Sequence, residues 1–179
     1  MTSTLRLPAM ALLLVLGALL ATACGGSDTT TLTFTQDTPV LHDASDPEAT
    51  VHYGGLSSYE AALRQDGKIV GELIGSRHTI LEAADLAAWA DRMHVPGHDK
   101  ANPDEVLMLT MLVFELEAGT LIVEGQTLNT PAEHAQMLVG KPLERAIVGG
   151  TGDYRFSRGQ LTTTRNADGT YTQALEIQG

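Results

Sequence analysis

The stretch Ala146–Gly159, AIVGGTGDYRFSRG, constrains the fold more than any other part of the chain. Three apolar residues, Ala146, Ile147 and Val148, run into Gly149, Gly150, Thr151 and Gly152, and alternation then resumes through Tyr154, Phe156 and the Gln160–Thr164 run. Locally this reads as strand, tight turn, strand. Glycine adopts the positive φ angles that a short hairpin needs, and a period of two sends alternate side chains to opposite faces. A phosphate cradle is also glycine-rich, but it must open a helix and carry a Lys-Ser/Thr pair. The residues after Gly152 are strand-like and include no such pair.

The same pattern recurs along the chain. Leu32–Thr35 alternates and ends at Gln36, Asp37 and Pro39, and His42–Gly55 reads as a charged loop. Tyr59–Leu63 and Ile69–Ile80 flank Asp66-Gly67, a strong hairpin signal. In the second arm Leu73, Gly75, Arg77 and Thr79 share one face, and Glu72, Ile74, Ser76 and His78 share the other. Gly71 and Gly75 mark sharp curvature or close approach of a ligand. Leu81–Met93 changes character: alanine-rich, with Leu86, Trp89 and Met93 three and four apart, it predicts a short amphipathic helix, and His94–Asp104 a loop. Either this insertion covers one mouth of the fold or it packs on the outside. Val106–Glu117 and Leu121–Gln126 turn at Ala118-Gly119, and Thr130–Glu144 is a loop with a helical turn at Ala132–Leu138. The last strands are Arg145–Val148, Tyr154–Arg165 and Tyr171–Ile177, the latter two joined through Asn166–Gly169. About eight strands and one short helix predict an all-β protein, an eight-stranded antiparallel β-barrel with a short helical insertion.

Gly149, Gly150, Thr151, Gly152, Tyr154, Ser157, Arg158 and Gly159 resemble the GGTG-x-(F/Y)-x-x-(A/S)-R-G signature of the allene oxide cyclase and dirigent barrel superfamily. Asp66–Gly71 and Leu116–Gly125 support the resemblance in the right order, and together these stretches extend it over most of the chain from about Thr31. The 81–104 insertion departs from the family pattern, where a shorter connection is expected.

Residues 1–23 read as a signal segment rather than part of the fold. Arg6 supplies a positive start, Ala9–Ala21 an apolar run too short for a comfortable membrane span, and Ala21-Thr22-Ala23 leads into Cys24, the only cysteine. The arrangement is similar to a bacterial lipoprotein cleavage box, with Cys24 lipidated; an ordinary secretory signal cut near Ala23 is the alternative, and the position of Cys24 favours lipidation. Residues 24–31 form a small, polar linker and 32–179 the barrel domain. The expected location is the outer side of a bacterial cell membrane or outer membrane. The formal net charge is −11, one unit more negative once Arg6 is removed, which argues against nucleic acid and anionic headgroups as partners.

Little here suggests metal or nucleophile chemistry. His94 and His98 have ligand-like spacing but lie in a Gly/Pro loop, so no metal is expected; no serine sits in a G-x-S-x-G context, and no cysteine remains to pair with a histidine. Glu115 and Glu117 share a strand face, most simply a solvated one. The better candidate is a barrel cavity, because an eight-stranded barrel leaves room for side chains or one small ligand. The resemblance places Arg77 at a cavity-lining position, Tyr59 near a polar cavity residue and Asp37 near the acidic or amide residues that end the first strand. Arg158 closes the signature on the face of Tyr154 and Phe156. It implies a cofactor-independent cyclase, isomerase or dirigent-like protein that orients a small, largely apolar molecule. In that reading Arg77, Asp37 and Arg158 steady charge or relay a proton, and Tyr59, Leu73, Gly75, Tyr154 and Phe156 line the ligand site. The glutamate and cysteine of the plant allene oxide cyclases are missing at their expected positions, so that particular activity is not expected. The structural alternative pairs Arg77 and Arg158 with Asp37 or Asp153 and leaves Tyr154 and Phe156 as core. A non-catalytic carrier or sensor on the cell surface is the competing function. The resemblance also suggests a dimer or trimer, with Thr162–Thr164, Ile122 and Ile74 on outer faces.

Overall fold

The computed structural model describes residues 29–42, 55–81, 106–129 and 137–178, together with Asp85, Leu86, Ala88 and Arg92. The signal segment, Cys24, His94 and His98 lie outside the described residues.

Among the described residues nine strands follow in chain order: β1 (Thr29–Gln36), β2 (Val40–His42), β3 (Leu56–Gln65), β4 (Lys68–Leu81), β5 (Val106–Leu116), β6 (Gly119–Asn129), β7 (Pro142–Gly150), β8 (Arg158–Arg165) and β9 (Tyr171–Gln178). Every sheet pairing is antiparallel, in the order β1-β9-β8-β7-β6-β5-β4-β3-β2. Pairing of Thr35 with Arg64 and Gln36 with Leu63 joins β1 to β3 and closes the barrel. Eight strands form the wall, and β2 is an extra edge strand on β3 that the sequence pattern does not predict. β1 begins three residues earlier than the alternation predicts.

The Asp66-Gly67 turn forms as expected, with φ of 51° and 77° at the two positions. In the predicted insertion Asp85, Leu86, Ala88 and Arg92 are helical, and Leu86 is buried. The GGTG segment departs from a simple hairpin. β7 stops at Gly150, a single 3-10 turn occupies Gly152–Tyr154, and β8 resumes only at Arg158. Thr151 reaches the β5–β6 turn and holds the chain there. Its N–H donates to Thr120 O (2.9 Å), its Oγ1 lies 2.7 Å from Thr120 Oγ1, and Asp153 N–H donates to Ala118 O (2.9 Å). Gly152, at φ 58°, makes the bend. The segment is a clasp between two turns rather than a continuous strand pair.

Inside, one part of the barrel is filled by Phe34, Leu63, Leu73, Leu112, Phe114, Leu121, Val123, Ile147, Leu161, Leu175 and Ile177. Moving two residues along several strands, the same inward parity turns polar: Phe34 gives way to Gln36, Ile147 to Arg145, Leu161 to Thr163 and Leu175 to Gln173. The polar positions line a cavity.

Candidate functional site

The cavity has a volume of about 100 Å³ and is lined by Gln36, Tyr59, Arg77, Arg145, Thr163, Tyr171 and Gln173, with Leu112 beneath and Thr38, Pro39, Leu41 and Met137 also contributing. Drug-sized ligands occupy roughly 300–1,000 Å³, so this space takes one end of such a molecule.

Two glycines seat the cavity's large side chains. Gly75 faces Tyr59 across the β3–β4 pair, and a Cβ there would land in the Tyr59 ring. A Cβ on Gly125 would come 2.7 Å from Arg145 Cγ and 3.1 Å from its Cβ. In each case the absent side chain is the space the neighbour occupies. The Tyr59 ring in turn receives Arg77, whose guanidinium carbon lies 5.5 Å from the ring centroid, within cation–π range.

A buried hydrogen-bonded ladder crosses from β7 to β1. Arg145 Nη1 donates to Thr163 Oγ1 (3.3 Å), Thr163 donates to Gln173 Oε1 (2.7 Å), and Gln173 Nε2 donates to Gln36 Oε1. Buried polar groups require such partners. Arg145 is only 8% exposed, yet this is its hydrogen bond, and its Nε–H has no acceptor among the described residues.

The electrostatics follow from burial. Desolvation pulls the Arg145 guanidinium below its ordinary value, Tyr59 opposes that pull and the nearby Arg77 charge adds to it. Desolvation raises the Tyr59 phenol above its ordinary range; Arg77 and Arg145 pull it back and Tyr171 adds to the rise. Tyr171 is raised by burial too, against Arg165 and Arg77. At neutral pH both phenols are therefore O–H donors beside two guanidiniums. Among the described residues, none of those lining the cavity carries a carboxylate.

The expected site is partly assembled. Tyr59 and Arg77 face the cavity together, and Gly75 seats Tyr59. Leu73 shares that inward face but sits in the apolar cluster rather than on the cavity wall. Asp37 is elsewhere. Gln36 points inward, so the next residue points out, and the Asp37 carboxylate takes a two-pronged hydrogen bond from Arg64 (Nε to Oδ1 2.8 Å, Nη2 to Oδ2 2.9 Å) with both side chains 37% exposed. That placement is a strand-closing ion pair at the β1–β3 seam. Arg158 is exposed and donates to Ser157 O (2.8 Å). Phe156 is 76% exposed with Arg155 over its ring, and Tyr154 packs against the apolar cluster. Continuous alternation would set these three on one inward strand face; the 3-10 turn breaks that periodicity and takes Arg158 and Phe156 outside. Thr163 lies inside the barrel rather than on an outer face, whereas Ile74 is exposed as expected.

The Asp37–Arg64 pair yields a pH prediction. Arg64 holds the Asp37 carboxyl below its ordinary value through the hydrogen bond first, against a small desolvation penalty, with charge attraction adding. A depressed folded-state pKa contributes stability that is fully present above the unfolded value of roughly 4 and is lost as pH falls through the lower folded value. Asp37→Asn should lower the melting midpoint slightly at pH 7 and leave it unchanged once the pH is below the depressed folded-state value. Melting curves across that range check it; an equal loss at both ends would mean the pair's charge is immaterial.

No protein-family profile matches the chain, and no curated protein matches it. Solved structures do. A pyocyanin demethylase is 24% identical, over 84% of this chain and 99% of that one, with a TM-score of 0.54. A nonspecific heme-binding cyclase that catalyses a 4 + 2 cycloaddition during neoabyssomicin biosynthesis is 18% identical, over 99% and 80%, with a TM-score of 0.58. The exo-specific intermolecular Diels-Alderase AbnU is 16% identical, over 85% and 99%, with a TM-score of 0.52. Identities this low speak to architecture alone: the chain shares the antiparallel β-barrel fold of these proteins.

Proposed function

We propose that the protein is a cyclase-like barrel that takes the polar end of a small, otherwise largely apolar molecule into the cavity and holds it in one reactive conformation. The carrying observation is the meeting of Tyr59, Arg77, Arg145 and Tyr171 around a single cavity above an apolar floor. Fixing two reacting atoms of one molecule near each other supplies most of what a cyclisation needs. Preorganised phenol and guanidinium donors stabilise negative charge that develops on an oxygen during the step. The neighbours' reactions, a cycloaddition and a demethylation, support the use of such a barrel for small-molecule chemistry.

The test uses protein purified from its source. Native mass spectrometry identifies any retained molecule, and ligand-free protein is then incubated with that molecule. Conversion to an isomer of equal mass supports the cyclase reading. Retention without change would assign the protein as a carrier, the reading favoured by a surface location, and a product of different mass would overturn cyclisation.

The location is part of the proposal: a lipid on Cys24 tethers the barrel to the outer side of a bacterial membrane. The progression from Arg6 through Ala9–Ala21 to Cys24 motivates it. Cys24→Ser should release the protein from the membrane fraction or block its processing, and unchanged fractionation with unchanged mature mass would reject lipidation. A homo-oligomer is proposed as well. Ile74, Met111 and Val148 are exposed apolar residues on the outside of β4, β5 and β7, and light scattering at the monomer mass over a wide concentration range would count against it.

A further inference from the structure

We infer that the group received by the cavity is a carboxylate, so that the ligand is a small organic acid bound head-first against Arg145 and Arg77. The inference rests on the small-molecule reading above and narrows it to a chemical class.

Arg145 carries the argument. The residue is more than nine-tenths buried, and its one hydrogen bond among the described residues, 3.3 Å long, goes to a neutral threonine hydroxyl. Its Nε–H has no acceptor, and no ion pair to it exists among the described residues. A buried cation in that state is costly, and the cost is relieved only by a compensating anion or by several good acceptors. The surroundings move in the opposite direction. Arg77 brings a second positive charge to the same cavity, and the other lining groups are amides, hydroxyls and two phenols, all neutral at physiological pH.

The protein as a whole is strongly acidic, at −11, so two guanidiniums turned inward on a wall whose described residues carry no carboxylate are not a by-product of a basic composition. The Gly125 seat reinforces this. The β6 wall has a hollow that fits the Arg145 stem, which fixes the head on the cavity side instead of letting it swing out to solvent. A carboxylate matches the planar, forked donor set of arginine, and Tyr59 and Tyr171 add O–H donors to the same oxygens. A cavity of about 100 Å³ has room for such a head and little more, leaving the apolar remainder toward the opening.

The probes are benzoate and its neutral counterpart benzamide, of nearly the same shape, titrated by calorimetry into the full-length protein. Benzoate should bind about tenfold tighter or more, the margin of a charge-assisted over a lost hydrogen bond. Arg145→Met should bring benzoate down to the level of benzamide. Should that variant not fold, Arg77→Leu should reduce the benzoate preference on its own, and the comparison of probes on the unaltered protein already decides the sign. Equal binding of the two probes would overturn the carboxylate assignment while leaving the small-molecule reading intact. Binding of neither would overturn the assignment too, and combined with no retained molecule in native mass spectrometry it would remove the reading on which it rests.

Discussion

Gly75→Val should lower the melting midpoint by about 5–10 °C and abolish ligand binding together. The new Cβ falls inside the Tyr59 ring, with Cε1 and Cε2 each 2.6 Å away, closer than real Cβ contacts come. Relief requires the ring to leave its seat or the β3–β4 pair to part. Overpacking of this kind costs about 1–3 kcal/mol, and each kcal/mol is worth roughly 2–4 °C in a domain of this size. The ring that moves is also the one under Arg77, so the cavity loses one of its two phenols and the platform of the Arg77 guanidinium together. A double-mutant cycle isolates the cause. In a Tyr59→Ala background the space is already empty, so Gly75→Ala should be nearly neutral, while in the wild-type background it should cost most of what valine does. Equal costs in the two backgrounds would mean that Gly75 is required by the backbone and not by Tyr59.

The barrel is legible in the sequence because its signals are local. Asp66-Gly67 fixes one hairpin, and the parity that puts Leu73, Gly75, Arg77 and Thr79 on one face is the parity observed. Half the site follows from it, since Tyr59 opposite Gly75 and an inward Arg77 diagonal to Tyr59 need only register. Arg145 does not follow. It opens the run Arg145–Val148 beside Glu144, where a lone arginine reads as a solvated strand end, and a bulge where β7 meets Ile122 and Val123 of β6 breaks the parity that would count it inward. A signal is nevertheless present. Gly125 interrupts β6 between Glu124 and Gln126, and the rule that a mid-strand glycine marks close approach applies there as it does at Gly75.

Gln36 and Gln173 stay hidden for a different reason: each alternates correctly with core residues, but glutamine gives no hint from sequence that it will find a partner inside. The misplacement of Asp37, Arg158 and Phe156 comes from continuing a period across a break. A one-residue step past Gln36 turns Asp37 outward, and the Thr151 clasp inserts a turn where alternation between Tyr154 and Arg158 suggests strand.

The second large effect belongs to the ladder. Gln173→Leu keeps volume and the buried position but removes the acceptor of the Thr163 hydroxyl and the donor to Gln36 Oε1. Each buried group left without a partner costs about 1–3 kcal/mol, so the variant should lose on the order of 2–5 kcal/mol, or roughly 5–15 °C. Adding Gln36→Leu removes one of the two orphans, and because replacing both partners of a hydrogen bond by apolar groups is close to neutral, the double variant should be more stable than the single one. A double variant no better than Gln173→Leu would show that the Gln36–Gln173 bond contributes nothing. Gln173→Glu separates stability from charge. The introduced carboxylate still accepts from Thr163, the Gln36 amide can turn to donate to it, and it lies one hydroxyl away from Arg145 along the ladder. The barrel should therefore melt near the wild-type midpoint at pH 7 and lose stability as pH falls far enough to protonate the new acid. Its negative charge should nevertheless cancel the preference for benzoate over benzamide, since the cavity then carries its own counter-ion. A stable Gln173→Glu protein that still prefers benzoate would place the anion's contact away from Arg145.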